Sequence, residues 1–295
     1  MTNKTLLLGL IGHGIAQSRT PGMQEAEGLA QGIPTVYRVI DTATKPAQGM
    51  SLQDILNAAR TLGFNGLNIT HPHKQEVLDY LDEVDERAAK IGAVNTVVIR
   101  EGKFYGYNTD VTGFGRGLEQ GLPDAKLDNV VQVGAGGAGN AVAQSLIAAG
   151  VKNLFVADLD PERARTLAEA VRSAASEDTD SFTVTGVDIA DVEEYIRSAD
   201  GVVNATPVGM EALPGTAFDT SILKPTQWVS DVIYLPLETQ LLREAKAIGC
   251  AVVDGSGMAV GQALDAFKYF TGRDADANRL RETFIAQGEQ GEHCE

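Results

Sequence analysis

The chain has 295 residues, with 40 acidic against 24 basic side chains and a formal charge of −16. That balance excludes the broad basic face that nucleic acid or an anionic membrane requires, and the length suits two domains with a core each. Cys250 and Cys294 set neither a metal-ligand spacing nor a disulfide framework, which fits a reducing cytoplasm.

Short apolar runs alternate with amphipathic stretches almost throughout, the pattern of an α/β chain. The first run, 6–11, is too short and too broken by Gly9 for a signal peptide or membrane span, and reads as a buried parallel strand. Further strands are predicted near 36–40, 66–69 and 94–99, with helices near 21–31, 51–62 and 74–81 between them. A strand at 130–133 then leads into a helix running to Ala149, followed by strands near 154–158, 201–205, 228–231 and 251–254. The Ser-, Ala-, Asp- and Thr-rich stretch 173–181 reads as a surface loop, and a last helix, 258–270, follows the final strand.

The expected fold is therefore two α/β domains. Residues 1–112 form a substrate-binding and catalytic domain, completed by 258–285, so that the chain returns to the first domain at its C-terminal end. Residues 113–257 form a Rossmann-type, doubly wound parallel sheet for NAD. The polar, acidic tail 286–295 is expected to fray.

The most specific motif opens that second domain. Gly134-Ala135-Gly136-Gly137-Ala138-Gly139 follows a strand and starts a helix, and the next strand ends on Asp158. This is a dinucleotide fingerprint in its required context. Gly134, Gly136 and Gly139 allow a tight turn and close backbone approach. Gly137 and Ala138 open the helix whose N-terminus faces a pyrophosphate, and the carboxylate meets the adenosine ribose. A carboxylate there accepts from a ribose 2′-OH and repels a 2′-phosphate, and Asp160 adds to the acidity, so NAD is expected over NADP. Arg163 and Arg165 follow; they soften this field or simply line an exposed helix face.

In open α/β sheets ligands gather beyond the carboxyl ends of strands, which nominates the residues there. Ser18 and Thr20 stand two apart before Pro21 and can donate to a carboxylate, although Thr20 equally suits a helix N-cap. Thr70 and Lys74 lie past the third strand. Lys74 is near a helix start, where the dipole disfavours a cation, a placement that suits general acid–base work; an ordinary surface lysine is the plain alternative. His71 and His73 flank Pro72 and lack a third ligand, so no metal is expected. Asn95 and Asp110 adjoin apolar runs and need partners if buried. Asp110 can pair with Lys74 or cap the helix starting near Val111, and Asn95 can be a turn residue. In the second half Asn204, Thr206 and Pro207 can line the nicotinamide side, and Val232, Tyr234 and Gly255 follow later strands. Met258 and Gln262 share one face of the closing helix. Val232, Gly255 and Met258 are read as cofactor contacts with Asn204, Thr206 and Pro207, although Met258 equally suits a core, whereas Gln262 is harder to explain by packing.

Taken together, these segments resemble the shikimate dehydrogenase family from Gly9 to about Phe284. The carriers are the hydroxyl pair Ser18/Thr20, then Asn68 to Lys74, Gly92 to Thr96, Asn108-Thr109-Asp110, the glycine motif, Asn204 to Met210, Asp231 to Tyr234, and Gln262. The resemblance implies a substrate carboxylate held by Ser18 and Thr20 with help from Tyr234. It implies ring hydroxyls held by Thr70, Asn95, Asp110 and Gln262, and Lys74 with Asp110 as the catalytic pair. Two departures narrow it. The second hydroxyl is Thr20 where biosynthetic members commonly have serine, and the loop lacks a proline near Gly14 and a histidine at Gln17. Asp158-Leu159-Asp160 stands where NADP-using members typically have Asn-Arg-Thr. Both features are similar to the NAD-dependent quinate/shikimate branch of actinobacterial type, which implies oxidation of quinate and shikimate with NAD. The alternatives are a biosynthetic enzyme reducing 3-dehydroshikimate, a relative acting on an aminated ring, and a non-catalytic ligand-binding paralogue. The partner is a small molecule, and the chain is read as monomer or homo-oligomer.

Overall fold

Six strands form each of two sheets, and the computed structural model, which describes residues 5–174 and 182–291, divides into two units. One comprises Met1–Thr109 with Val260–Glu295, the other Asp110–Ala259.

In the first unit β1 (Leu6–Gly12) lies between β2 (Thr35–Asp41) and β3 (Gly66–Ile69), parallel to both. Its unbroken apolar run is explained by burial on both faces: Ile11 joins one core with Leu52, Leu56 and Val97, and Leu8 another with Tyr37 and Phe270. β3 pairs antiparallel with β5 (Thr96–Arg100), which turns back into β6 (Lys103–Tyr107). Glu101 and Gly102 at that turn have φ of +51° and +76°, the type I′ geometry that matches strand twist. This hairpin was not expected, because Glu-Gly is a weaker turn signal than Asn-Gly. The two-residue β4 (Glu83–Val84) completes a mixed sheet at its edge.

The helices α1 (Thr20–Ala30) and α2 (Leu52–Thr61) lie where predicted, α2 capped by the Ser51 hydroxyl, which accepts from Asp54 N at 3.2 Å. The helix expected at 74–81 is instead a turn followed by a short 3-10 helix, Glu76–Tyr80. Leu78 N donates three residues back to Gln75, while the Lys74 carbonyl accepts from Val94 N at 2.8 Å. A tertiary bond has taken the carbonyl that an α-helix would have used. α3 (Glu86–Ile91) follows, capped by Asp85.

In the second unit, α4 (Asp110–Gly121) precedes a wholly parallel sheet. Its strands are β7 (Asn129–Val133), β8 (Asn153–Asp158), β9 (Thr183–Asp188), β10 (Gly201–Asn204), β11 (Trp228–Asp231) and β12 (Ala251–Val253), in the order β12-β11-β10-β7-β8-β9. α4, α5 (Gly137–Ala148) and α6 (Pro161–Ala174) bury Phe114, Leu146 and Leu167 on one face of it. α7 (Val192–Ser198) and α8 (Gln240–Ile248) bury Ile196 and Leu241 on the other. This is the doubly wound sheet the sequence predicted. Strand order reverses between β7 and β10, the point where such folds open a crevice for a ligand. The edge strand β9 was missed: it alternates Thr with Val, and Gly186 within it brings its backbone close to Arg165 N on α6. The loop expected at 173–181 lies, beyond Ala174, outside the described residues.

The boundary between the units falls inside α9 (Ser256–Thr271). Its later turns and α10 (Ala277–Gly291) complete the first unit. Gln24 Nε2 donates to Ala263 O at 2.9 Å, and the buried Glu27 carboxylate accepts from Arg279 Nη1 and Gln31 Nε2, both at 2.6 Å. Of the tail expected to fray from 286, the part to Gly291 is helical in α10, and 292–295 lie outside the described residues. Arg19, donating to Phe284 O at 3.1 Å, fills the space left by the missing side chain of Gly288, so the last turns have a partner on which to order. Among the described residues no helix is long and apolar enough to cross a membrane.

Gly201 opens β10 with the Trp228 indole occupying the space a Cβ would need. Gly201→Ala should cost about 1–3 kcal/mol through overpacking, read as a lower thermal midpoint. An unchanged midpoint would mean that Trp228 can withdraw without loss.

Candidate active site

The glycines are the foundation of the nucleotide site. Gly134, at φ +108°, lies so close to the loop after β10 that a Cβ would sit 2.6 Å from Ala205 O. A Cβ on Gly139 would overlap Gly134 O, and one on Gly255 would sit 2.6 Å from Ile233 O. The loops at the carboxyl ends of β7 and β10, and those of β11 and β12, are thus packed in pairs, backbone against backbone, which only glycine permits. Gly136 is the N-cap of α5, with Gly137 and Ala138 its first residues and no side chain covering the helix N-terminus as a cap. Gly137 faces open space. Asp158 ends β8, and its carboxylate accepts from Ala135 N at 2.7 Å and Asp160 N at 3.0 Å. The acid therefore shapes the glycine loop while standing at the corner where an adenosine ribose would lie. These residues fit a dinucleotide: a glycine cradle, a helix N-terminus without a side-chain cap and with the Arg163 guanidinium close to Gly136, and a carboxylate bound to the same loop.

Gln132 was overlooked in the sequence. It is buried in β7, and its Nε2 donates at 2.8 Å to both Gly134 O and Gly139 O, the first and last glycines of the motif. An amide inside the run Val-Val-Gln-Val was the available signal.

Asn204 differs from its expected role as a contact along the nicotinamide edge. Its side chain is wholly buried and spent inside the protein. Nδ2 donates to Val208 O and to Asp231 Oδ1, each at 3.0 Å, and Oδ1 accepts from Thr206 N at 3.1 Å and the Thr206 hydroxyl at 2.7 Å. It builds the turn that presents Thr206 and Pro207. Asp231 also accepts from Ile233 N at 3.0 Å and the Thr239 hydroxyl at 2.8 Å. Val232, Gly255 and Met258 come together with Asp231 around one small cavity, bounded also by Phe114 and Gly117 of α4. Met258 packs against the α4-side core as well. Tyr234, half-buried, follows β11.

In the first unit, the loop from β1 to α1 is organised by Asp41, which accepts from Gly14 N at 2.8 Å and Ile15 N at 3.0 Å. Ser18 ends this loop with its Oγ 3.4 Å from Thr20 N. Thr20 is the first residue of α1, the N-cap position falls on Arg19, and no side chain caps the helix. The capping explanation for Thr20 is thereby removed. Thr70 follows β3, its methyl admitted by Gly12, and Lys74 sits half-buried in the turn beyond it. With no α-helix starting there, the dipole argument for Lys74 lapses, and its case rests on place. His73 is tied through Nδ1 to Glu76 Oε2 at 2.7 Å. Among the described residues no three His, Cys, Asp or Glu side chains group to hold a metal ion.

Asn95 is buried, with Nδ2 donating to Thr109 Oγ1 at 3.0 Å and Oδ1 accepting from Thr109 N at 2.9 Å. It fixes the residue before Asp110, which is buried and begins α4. Gln262 is half-buried on α9.

Comparison with known proteins identifies the class. Residues 10–97 match the shikimate dehydrogenase substrate-binding domain and residues 118–214 the shikimate/quinate 5-dehydrogenase domain. The chain belongs to the shikimate dehydrogenase family. Its similarity to the quinate/shikimate dehydrogenase (NAD+) of Corynebacterium efficiens is 62% identity over 97% of this chain and 100% of that protein. The quinate dehydrogenase of Corynebacterium glutamicum in complex with NAD matches with a TM-score of 0.91 and 59% identity, over 96% and 99% of the two chains. The shikimate dehydrogenase (NADP+) of Pseudarthrobacter chlorophenolicus is 51% identical over 96% of this chain and 95% of that protein.

Burial pushes the Asp231 carboxyl up to about 6, against the opposing effect of bonds from Ile233 N, Thr239 and Asn204. The folded protein thus holds this proton more tightly than the unfolded chain, and stability falls as pH rises from about 4 through 6. Relative to Asp231→Asn, the wild type should lose on the order of 2 kcal/mol across that window, read as denaturation midpoints at pH 4 and pH 7. A constant difference would show that Asp231 is not buried as described.

Proposed function

We propose that the chain catalyses the reversible, NAD-dependent oxidation of quinate to 3-dehydroquinate and of shikimate to 3-dehydroshikimate. The observation that carries this reading is the acidic ribose corner: the Asp158 carboxylate, held by Ala135 N, with Asp160 beside it. A 2′-phosphate would meet two negative charges there at a protein of net charge −16, whereas a free 2′-OH finds an acceptor. Similarity to the two corynebacterial enzymes supports the same choice.

The bound nicotinamide supplies the acceptor for the two electrons leaving the ring carbon. The chain's residues do the rest. Lys74 Nζ takes the proton of the substrate hydroxyl and returns it in the reverse direction, with Asp110 as its acidic partner. Ser18 and Thr20 donate to the substrate carboxylate, aided by Tyr234. Thr70, Asn95, Asp110 and Gln262 hold ring hydroxyls. Hydroxyl donors suit an anionic substrate at an acidic protein, because they supply hydrogen bonds without requiring a basic face. Thr20 stands where quinate differs most from shikimate, at the ring carbon bearing both hydroxyl and carboxylate.

The direct test is absorbance of reduced nicotinamide with quinate and shikimate, each paired with NAD and NADP. Turnover of both with NAD is expected, and activity confined to shikimate with NADP would place the protein in the biosynthetic branch. Lys74→Ala should lower kcat by about 10²–10⁴-fold with NAD affinity nearly unchanged; loss of NAD binding instead would mean a different role for Lys74. Asp158→Ala should narrow the NAD/NADP preference, and an unaltered ratio of kcat/KM values would remove Asp158 from cofactor choice.

A further inference from the structure

The proposed chemistry leaves Asp231 without a task, yet its side chain joins the loop after β10 to the loop after β11. It ends β11, is 1% exposed, and connects three segments separated in sequence. Through Oδ1 it takes Asn204 Nδ2, from the loop after β10, and Ile233 N, from the loop after its own strand. Through Oδ2 it takes the Thr239 hydroxyl at the start of α8, a residue that also caps that helix by accepting from Leu242 N at 3.3 Å.

Asn204 cannot satisfy itself otherwise. Its Oδ1 already accepts from Thr206 N and the Thr206 hydroxyl, and a flipped amide would set its NH₂ against the Thr206 N–H and its oxygen against the acceptors Val208 O and Asp231 Oδ1. Its other Nδ2 hydrogen is committed to Val208 O, and Thr206 Oγ1 accepts from Val208 N at 3.1 Å. An apolar residue at 231 would leave one buried amide hydrogen of Asn204 without an acceptor, at the place where the Thr206–Val208 turn is formed.

We infer that Asp231 is the positioning residue for the nicotinamide half of the cofactor site: by accepting from Asn204 and Ile233 it sets the Thr206–Val208 turn and the start of the Ile233–Tyr234 segment relative to each other. This rests on the dehydrogenase reading above. The adenosine half depends on other groups, namely Gln132, the glycine loop and Asp158, none of which bonds to Asp231. The two halves can therefore be measured separately, with ADP-ribose as a probe that lacks the nicotinamide.

The experiment compares wild type, Asp231→Ala and Asp231→Asn at pH 7.5. It measures kcat with quinate and NAD, and the Kd of ADP-ribose and of NAD by calorimetry. Asp231→Ala should lower kcat about tenfold or more, as expected for a misplaced reacting group, with ADP-ribose affinity within about threefold of wild type. Asp231→Asn, which keeps an acceptor for Asn204 and Ile233, should recover kcat to within about threefold. The inference is overturned if Asp231→Ala leaves kcat unchanged. It is equally overturned if ADP-ribose binding falls in step with kcat, since that is support of the whole unit, or if Asp231→Asn is as impaired as Asp231→Ala. Wild-type inactivity on both substrates would sink the dehydrogenase reading instead. The ratio of NAD to ADP-ribose affinity then decides the inference: a ratio shifted in Asp231→Ala and restored in Asp231→Asn supports it, and an unshifted ratio overturns it.

Discussion

The contact on which the nucleotide-binding unit depends is the approach of the glycine loop to the loop after β10, backbone against backbone, where any Cβ on Gly134 would strike Ala205 O. It occurs where strand order reverses, between β7 and β10. The absence of side chains there does two things together. It lets neighbouring loops share one edge, and it leaves main-chain N–H groups and a helix N-terminus facing the space a pyrophosphate would take. Gln132 from below and Asp158 from the side hold this loop by its main chain, two carbonyls for the amide and one N–H for the acid. The loop is therefore preorganised by buried bonds, so binding a dinucleotide need not bear the entropy of ordering it.

Charge sets the second constraint. A chain of net charge −16 repels anions at long range, and an anionic substrate needs donors that act only at contact. Ser18 and Thr20 carry hydroxyls of that kind, on a loop whose shape comes from the Asp41 carboxylate and from Arg19 docked on Phe284. The acidic corner at Asp158 and Asp160 applies the same logic to the cofactor. It offers acceptors to a donor and repels further negative charge, which is the physical basis of the proposed preference for NAD over NADP.

Legibility in the sequence followed burial. Strands covered on both faces, such as β1, β7 and β10, show as short, mainly apolar runs, and their positions are legible to within a residue or two. The edge elements β4 and β9 and the β5–β6 hairpin were missed because half-exposed strands carry Thr, Lys and Glu, and a Glu-Gly turn looks ordinary until its positive φ is seen. The segment after β3 misled for another reason. Residues 74–81 have helical composition, but the Lys74 carbonyl is engaged by Val94 N from the loop before β5, and the coil tightens into a 3-10 helix.

The sequence by itself determined the two α/β units, the glycine loop, Asp158 and the order of the candidate residues, because each depends on local backbone chemistry or on a period short enough to see in one segment. Only the tertiary structure decided how buried polar groups are spent. Asn204, read as a ligand contact, is consumed by Thr206, Val208 and Asp231. Thr20 is freed from capping duty, Gln132 becomes the staple of the glycine loop, and Glu27 anchors α10 on α1. The physical reason is common to all of them. A buried donor or acceptor must be satisfied, and its partner lies wherever the fold has brought a complementary group, a distance along the chain that no local pattern records.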